Sequence, residues 1–114
     1  MYREGADPND MSMQDVLCDF CGSAWTEQTP MVEGHRGSCI CGGCLSVAFA
    51  ELVRLKQGVP LPDGEVCALC LSADKERPHW NSPVRDGAVV CSRCVKQAAG
   101  VLHKDDAWDW SKPT

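Results

Sequence analysis

Cys18-Asp19-Phe20-Cys21-Gly22 is the stretch that decides the fold, because its two-residue gap between cysteines returns three more times along the chain. Nineteen residues separate the first pair from the second, and twenty separate the third from the fourth. The same four-cysteine motif therefore occurs twice in the chain. The paired cysteines are Cys18, Cys21, Cys41 and Cys44 in the first copy and Cys67, Cys70, Cys91 and Cys94 in the second.

Each copy offers four sulfur ligands to one metal ion. A two-residue gap lets both thiolates of a pair turn toward the same ion, and two pairs complete the tetrahedral shell of soft ligands that suits Zn²⁺. The spacing therefore predicts two Zn²⁺ ions. Iron–sulfur binding and disulfides are the alternatives that spacing alone leaves open. A site with four protein ligands has no position for water or substrate, so the predicted zinc is structural.

The 114 residues divide into two units that are each below the size that usually folds without help. Because zinc binding contributes roughly 10 kcal/mol or more to folding in such units, we expect the metal-free chain to be largely unfolded. The predicted divisions are a flexible N-terminal arm at 1–15, a first zinc finger at 16–58, a proline-containing linker at 59–64, a second zinc finger at 65–103 and an acidic, aromatic tail at 104–114.

Both units show the same order of local patterns. Turn residues between the two cysteine pairs predict a short β-hairpin, and the hydrophobic period changes to that of a helix at the second pair. A knuckle, a hairpin and a helix that carries the second ligand pair form a treble clef, so the sequence predicts a small metal-stabilised α+β protein with two tandem treble clefs. The predicted apolar helix faces are Leu45, Ala48, Phe49, Leu52 and Leu55, followed by Val95, Ala98, Ala99 and Leu102.

The first copy also resembles a known family. The stretch Cys18 to Gly22, the step Ile40-Cys41, the step Cys44-Leu45 and the helix through Leu52-Val53 are similar to the amino-terminal zinc-binding domain of ClpX, the unfoldase partner of a bacterial protease. The likeness covers 16–56 and, less closely, 65–103. It implies a domain that dimerises and receives substrates and adaptors through apolar surface. These residues contain no G-x-x-x-x-G-K-[ST] stretch, so no ATPase module is expected within them.

Two copies in one chain predict a covalent version of that dimer. The first helix offers bulky Phe49, Leu52 and Leu55, and the second offers small Ala98 and Ala99, so the two faces can approach closely. We predict that these helices pair across a pseudo-twofold axis. The alternative is that each helix covers only its own hairpin.

The charge of the chain disfavours nucleic acid as the first choice of partner. The formal net charge is −5, and two tetrathiolate zinc sites of −2 each lower it to about −9. The second unit is locally basic through Lys75, Arg77, Arg85, Arg93 and Lys96, which keeps nucleic-acid binding as the first alternative. The acidic N-terminus lacks an apolar run and the cysteines fit a reducing compartment, so we expect no membrane association and a cytoplasmic location.

We therefore predict a zinc-binding protein–protein interaction module, an adaptor or substrate-recognition protein rather than an enzyme, with protein partners and no small-molecule substrate. Large aromatic side chains often anchor interfaces. The candidate partner-binding residues are Trp25, Phe49, Trp80, Trp108 and Trp110.

Three remaining residues are interpreted as follows. Cys39, the unpaired cysteine, is expected to be a small buried hydrophobe. His35 and His79 occupy equivalent hairpins and are expected to be exposed, since each metal site already has four ligands. The stretch His79-Trp80-Asn81 distantly suggests an HNH nuclease, which is the second alternative, but it lacks the further ligands that such a site needs.

Overall fold

The computed structural model describes residues 1–2, 4–5, 9, 15–27, 29–105 and 110. Its regular elements repeat in order, with a two-stranded hairpin followed by a helix in each half of the chain. The first half contains β1 (Met31–Glu33), a 3₁₀ turn (His35–Gly37), β2 (Cys39–Cys41), α1 (Gly42–Phe49) and a π-helical segment (Ala50–Arg54) that continues α1. The second half contains β3 (His79–Asn81), β4 (Val89–Cys91) and α2 (Ser92–Lys104). We call 16–58 the first repeat and 65–103 the second repeat.

The two hairpins are antiparallel and have the same register. Met31 pairs with Cys41 in the first hairpin, and His79 pairs with Cys91 in the second. This register makes Cys39 the structural equivalent of Val89, because each lies at the start of the second strand. Both side chains are buried, with 1% of each exposed.

Each helix begins directly after a ligand cysteine, which serves as its N-cap. Cys41 caps α1, where its Sγ accepts a hydrogen bond from the Cys44 N–H, and Cys91 caps α2. The predicted apolar faces are buried except at one position: Leu55 is 59% exposed. The expectation for Leu55 was wrong because the helix is π-helical over Ala50–Arg54 and ends there, so that Leu55 lies at its C-cap, beyond the regular helical spacing.

The two repeats exchange contacts at equivalent positions. We call the cysteine turns at 18–22 and 67–71 the first and the second knuckle. In the first knuckle, the Phe20 ring lies 5.8 Å from the Trp80 ring of the second hairpin, and the Phe20 carbonyl accepts a hydrogen bond from the Ser82 hydroxyl. In the second knuckle, the carbonyl of Leu69 accepts a hydrogen bond from the His35 N–H, 2.7 Å away in the first hairpin. Each knuckle therefore packs against the hairpin of the other repeat.

The helices reinforce this exchange. α1 contacts α2, α2 also contacts β1, and the π-helical segment contacts β3. Each helix covers its own hairpin as well, since α1 contacts β2 and α2 contacts β4. Buried residues of both repeats form one hydrophobic cluster. The two helices thus pack against each other, and each helix also packs against the hairpin of its own repeat.

The segments outside the repeats also touch them. Val59 of the predicted linker forms a β-bridge with His79, and Leu61 is only 4% exposed. At the N-terminal end, Tyr2 forms a bridge with Val16. Most of the predicted arm, at 6–8 and 10–14, and most of the tail, at 106–109 and 111–114, lie outside the described residues. Within the described part of the chain, no helix has the length and apolar character needed to cross a membrane.

Candidate metal centres

The eight paired cysteines form two clusters, as the spacing predicts. Cys18, Cys21, Cys41 and Cys44 form site 1, and Cys67, Cys70, Cys91 and Cys94 form site 2. Within each site all four sulfur atoms lie within 4.8 Å of one another. One pair comes from a knuckle, and the other comes from the end of a strand and the first turn of the following helix, so each site joins all parts of its repeat.

The sulfur separations fit a single tetrahedral ion. Across site 1, Cys18 Sγ lies 3.9 Å from Cys44 Sγ, and the Cys21 and Cys41 sulfurs are 3.7 Å apart. The two corresponding distances in site 2 are both 3.8 Å. With a Zn–S bond of about 2.3 Å, the edge of a tetrahedron is about 3.8 Å. The clusters match this edge in both repeats.

The same distances weigh against the two alternatives. A disulfide requires sulfur atoms about 2 Å apart, and all nine cysteines are free. In a multi-iron cluster the cysteines bind different iron atoms, which spreads the sulfurs further apart than the ligands of one ion. The donor set and its geometry therefore indicate two Zn²⁺ ions, each held by four thiolates.

The electrostatics of the clusters point to the same conclusion. Hydrogen bonding with Cys41 lowers the pKa of Cys18 far below its ordinary value, whereas hydrogen bonding with Cys18 raises the pKa of Cys44 far above it. In site 2, hydrogen bonding with Cys67 lowers the pKa of Cys91 and raises the pKa of Cys94. Four thiols this close cannot all lose their protons, because the negative charges would repel one another. A bound divalent cation supplies the positive charge that allows all four to ionise.

Backbone amides orient the ligands in both repeats. Cys18 Sγ accepts hydrogen bonds from the N–H groups of Phe20 at 3.4 Å and Cys41 at 3.3 Å. Cys67 Sγ similarly accepts from the Cys91 N–H at 3.4 Å. Such contacts stabilise thiolates and fix their direction toward the ion.

Each knuckle ends with a residue in the left-handed region. Gly22 has φ +76° in the first repeat, and Leu71 has φ +63° in the second. The N–H groups of Gly22 and Leu71 donate to the carbonyls of Cys18 and Cys67, respectively, which closes the turn around each pair. Glycine adopts this conformation without steric cost, whereas leucine adopts it only at a cost, because its Cβ atom crowds the backbone.

The polar surroundings of the two sites differ. The Arg77 guanidinium donates to Cys91 Sγ at 3.8 Å and lies 3.3 Å from the Asp74 carboxylate. This contact with Cys91 raises the pKa of Arg77 further, so the group is always a cation. The polar side chain beside site 1 is neutral: Ser23 Oγ lies 3.2 Å from Cys21 Sγ. The sequence indicated only a surface cation at Arg77. Its contact with Cys91 Sγ depends on the path of the chain into β3, which the sequence does not show.

Cys39 lies beside site 1 without joining it. Its backbone N–H donates to Asp19 Oδ1 at 3.0 Å, and its Sγ lies 3.5 Å from the Leu17 carbonyl oxygen. Burial raises the pKa of the Cys39 thiol. The expectation of a small buried hydrophobe fits this environment.

The five candidate partner-binding residues have different environments. Phe49 and Trp80 are 8% and 4% exposed and belong to the shared core, so neither is available on the surface in this structure. Trp25 is partly buried. Trp110 folds back onto α1, where its Nε1 donates to the Gly42 carbonyl at 3.1 Å and to Ser46 Oγ at 3.0 Å. Trp108 lies outside the described residues.

The histidines of the two hairpins are not equivalent in exposure. His35 is exposed, as expected, but His79 is 1% exposed and its Nδ1 lies 2.7 Å from the Arg77 carbonyl. The expectation for His79 was wrong because it lies within β3, whereas His35 lies in the 3₁₀ turn after β1. Burial also removes His79 from contact with a substrate.

No protein-family model, curated protein or solved structure matches the chain.

Proposed function

We propose that this chain is a protein–protein interaction module built from two treble-clef zinc fingers, related to the zinc-binding domain of ClpX. Its role is that of an adaptor or substrate-recognition protein in the cytoplasm, where reducing conditions keep the nine cysteines free. The observation that carries the proposal is the closed tetrathiolate composition of both sites. Zinc held in this way organises a surface and leaves no coordination position for chemistry.

The surface itself supports binding. Several large apolar side chains are exposed in the described part of the chain, among them Val84 at 68%, Val47 at 46% and Val101 at 58%. These residues lie on the second hairpin loop, on α1 and on α2. Exposed apolar side chains that cluster around grooves are typical of protein-binding surfaces.

The test is affinity capture with the tagged, zinc-loaded chain from nuclease-treated lysate of its source cells. We expect a discrete protein partner that survives nuclease and high salt and that binds again when both components are purified. A matched bait with Cys91→Ser, which disrupts site 2, should lose the partner if the zinc-dependent fold presents the surface. Recovery of nucleic acid alone, with nothing left after nuclease, would contradict the proposal.

Nucleic-acid binding by the second repeat is the first alternative, and the contacts of its cations weigh against it. Lys75 pairs with Asp63, Arg77 pairs with Asp74, and Arg85 donates to the Asp19 carbonyl at 3.1 Å. Cations held by internal partners are less available to phosphates. The variant Arg93→Glu/Lys96→Glu changes two exposed cations and leaves Arg77 beside Cys91. It should therefore retain a protein partner, whereas a nucleic-acid-binding function would be lost.

Nuclease catalysis of the HNH type is a weaker alternative. The burial of His79 weighs against it. A hydrolysis rate that disappears in His79→Ala while two zinc ions remain bound would favour this alternative over our proposal.

A further inference from the structure

A groove lies beside each zinc site, and both grooves form between the two repeats. The first groove, of about 340 Å³, is bounded by Phe20 and Cys21 of the first knuckle, Val47 of α1, and Pro83 and Val84 after β3. The second groove, of about 360 Å³, is bounded by the equivalent parts: Leu69 and Cys70 of the second knuckle, Gln97 and Val101 of α2, and His35 after β1.

The two grooves occupy equivalent places but differ in chemistry. Val47 and Gln97 are equivalent positions, since each lies three residues after the last ligand of its site. Pro83 and His35 are likewise equivalent, since each lies two residues after the first strand of its hairpin. Glu33 also lines the second groove. The first groove is therefore apolar where the second is polar.

Negative charge lies beside both grooves. Neither groove has a Lys or Arg among its described lining residues, and Cys21, Cys41 and Cys44 lie along the first groove. These three thiolates belong to site 1, which carries −2 when it holds Zn²⁺. Arg85, the cation next to Val84, donates to the Asp19 carbonyl at 3.1 Å instead of lining the groove. Beside site 2, Arg77 contacts Cys91, but neither residue lines the second groove. The apolar lining is therefore what distinguishes the first groove from the second.

An apolar floor beside uncompensated negative charge selects a partner of complementary composition. We propose that the first groove docks a segment of a partner protein in which an apolar side chain is flanked by Lys or Arg, and that the second groove does not. This inference rests on the proposed protein-binding function and names the site and the partner's chemistry. One chain then binds one such segment, although its fold is duplicated.

The test uses the ¹⁵N-labelled, zinc-loaded chain and three short peptide probes. The first has the sequence Gly-Lys-Arg-Leu-Leu-Arg-Lys-Gly, the second replaces both leucines by serine, and the third replaces all four cations by glutamate. We expect saturable shifts of the Gly43, Val47 and Val84 amide signals with the first peptide only. Shifts centred on Val101 and His35, or tighter binding of the acidic peptide, would overturn the proposal, as would the absence of saturable binding by the first peptide.

Variants separate docking from general attraction to an acidic protein. Val47→Ser/Val84→Ser changes two exposed side chains and should weaken the first peptide about tenfold or more, because both valines lose apolar contact with it. The matched control Gln97→Ser/Val101→Ser in the second groove should change its affinity by less than about twofold. Equal effects of both double variants, with two zinc ions bound in each, would overturn the proposal.

The failure of this inference is distinguishable from the failure of the proposed function. If a captured protein partner binds Val47→Ser/Val84→Ser as well as the unchanged chain, the protein-binding function stands and the groove assignment is wrong. If no protein partner is recovered by any bait, the proposed function itself is wrong.

Discussion

Leu71 adopts a left-handed backbone conformation at the position that Gly22 has in the first repeat. This conformation costs a residue with a Cβ atom about 1–2 kcal/mol, and glycine avoids it at an entropic cost of about 0.5–1 kcal/mol. We predict that Leu71→Gly strengthens zinc binding at site 2 by a few-fold, because strain in the knuckle opposes metal-coupled folding. Competition with a chelator measures the change.

Gly22 provides the reverse control. A Cβ atom added there would meet no atom within 4 Å, so Gly22→Ala tests the backbone conformation alone. It should weaken zinc binding at site 1 by a few-fold. If Leu71→Gly weakens binding at site 2 instead, the leucine side chain contributes more than its backbone costs.

Cys39 should be replaceable by valine, because Val89 occupies the equivalent buried position in the second hairpin. We expect Cys39→Val to retain two zinc ions and to change the free energy of unfolding by less than about 1.5 kcal/mol. Metal analysis by native mass spectrometry and thermal unfolding check both points. The loss of one zinc ion in Cys39→Val would show that Cys39 exchanges with the ligands of site 1.

The Cys39 thiol also makes the stability of the fold depend on pH. Burial raises its pKa above the ordinary value of 9.0, so the fold favours the neutral thiol. Its contribution to stability is complete below that ordinary value and is lost as the pH rises through the raised pKa. We expect Cys39 to react with iodoacetamide more slowly than a cysteine of the unfolded chain, and the alkaline loss of stability to be smaller in Cys39→Val.

Arg77 is the residue whose role in site 2 the sequence did not show. Removing a side chain that supports metal ligands typically weakens metal binding about 10–100-fold. We predict a loss near the lower limit for Arg77→Gln, because the guanidinium is partly exposed and its distance to Cys91 Sγ is 3.8 Å. Zinc competition measures it, with Arg85→Gln as the control that contacts no ligand sulfur. Equal affinities in the two variants would contradict the role.

At the scale of the element, the first turn of α1 contains Gly42 and Gly43, which provide a matched pair. A Cβ atom at Gly42 would lie 3.0 Å from Pro30 and 3.1 Å from the Trp110 ring, whereas one at Gly43 would meet only Cys41 Sγ at 4.0 Å. Alanine in place of a helical glycine gains up to about 1 kcal/mol. We therefore predict that Gly43→Ala raises the thermal stability and that Gly42→Ala does not, because it displaces Trp110. Equal stabilisation by the two substitutions would show that Trp110 moves aside without a loss of stability.

The helices also show where sequence patterns succeed and where they stop. Periodicity placed Leu45, Ala48 and Leu102 correctly in the core, because a regular helix packed on a hairpin follows a period of 3.6 residues. It failed for Leu55, since a local change to π-helical spacing leaves no clear trace in the pattern. The metal ligands were predictable because their spacing is set by the ion.

At the scale of the whole molecule, the environment of Trp80 could not be predicted from the sequence. Phe49 and Trp80 were both candidate partner-binding residues, and both are buried where the repeats pack together, although only the burial of Phe49 follows from the predicted pairing of the helices. Trp80 in particular is covered by Phe20, sixty residues earlier in the chain. Such long-range contacts depend on how two units meet, which no local pattern records.

The shared core predicts that the two sites depend on each other. Cys91→Ser removes a ligand of site 2 and should also disturb the first repeat, because the buried residues of both repeats form one cluster. We expect amide hydrogen exchange of β1, β2 and α1 to accelerate by an order of magnitude or more in this variant. Unchanged exchange in the first repeat, with one zinc ion bound, would show that the repeats fold independently.

The exchange of contacts between knuckles and hairpins bears on how such a chain can arise and change. Duplication and fusion of a gene for one self-pairing finger would produce this arrangement in a single event. Once two copies are joined, mutations in one no longer appear in the other, so the ancestral symmetry is free to drift. The two repeats differ in this way, since Leu71 stands where the first repeat has Gly22 and Gln97 stands where it has Val47. A fused pair can thus specialise where an identical pair could not.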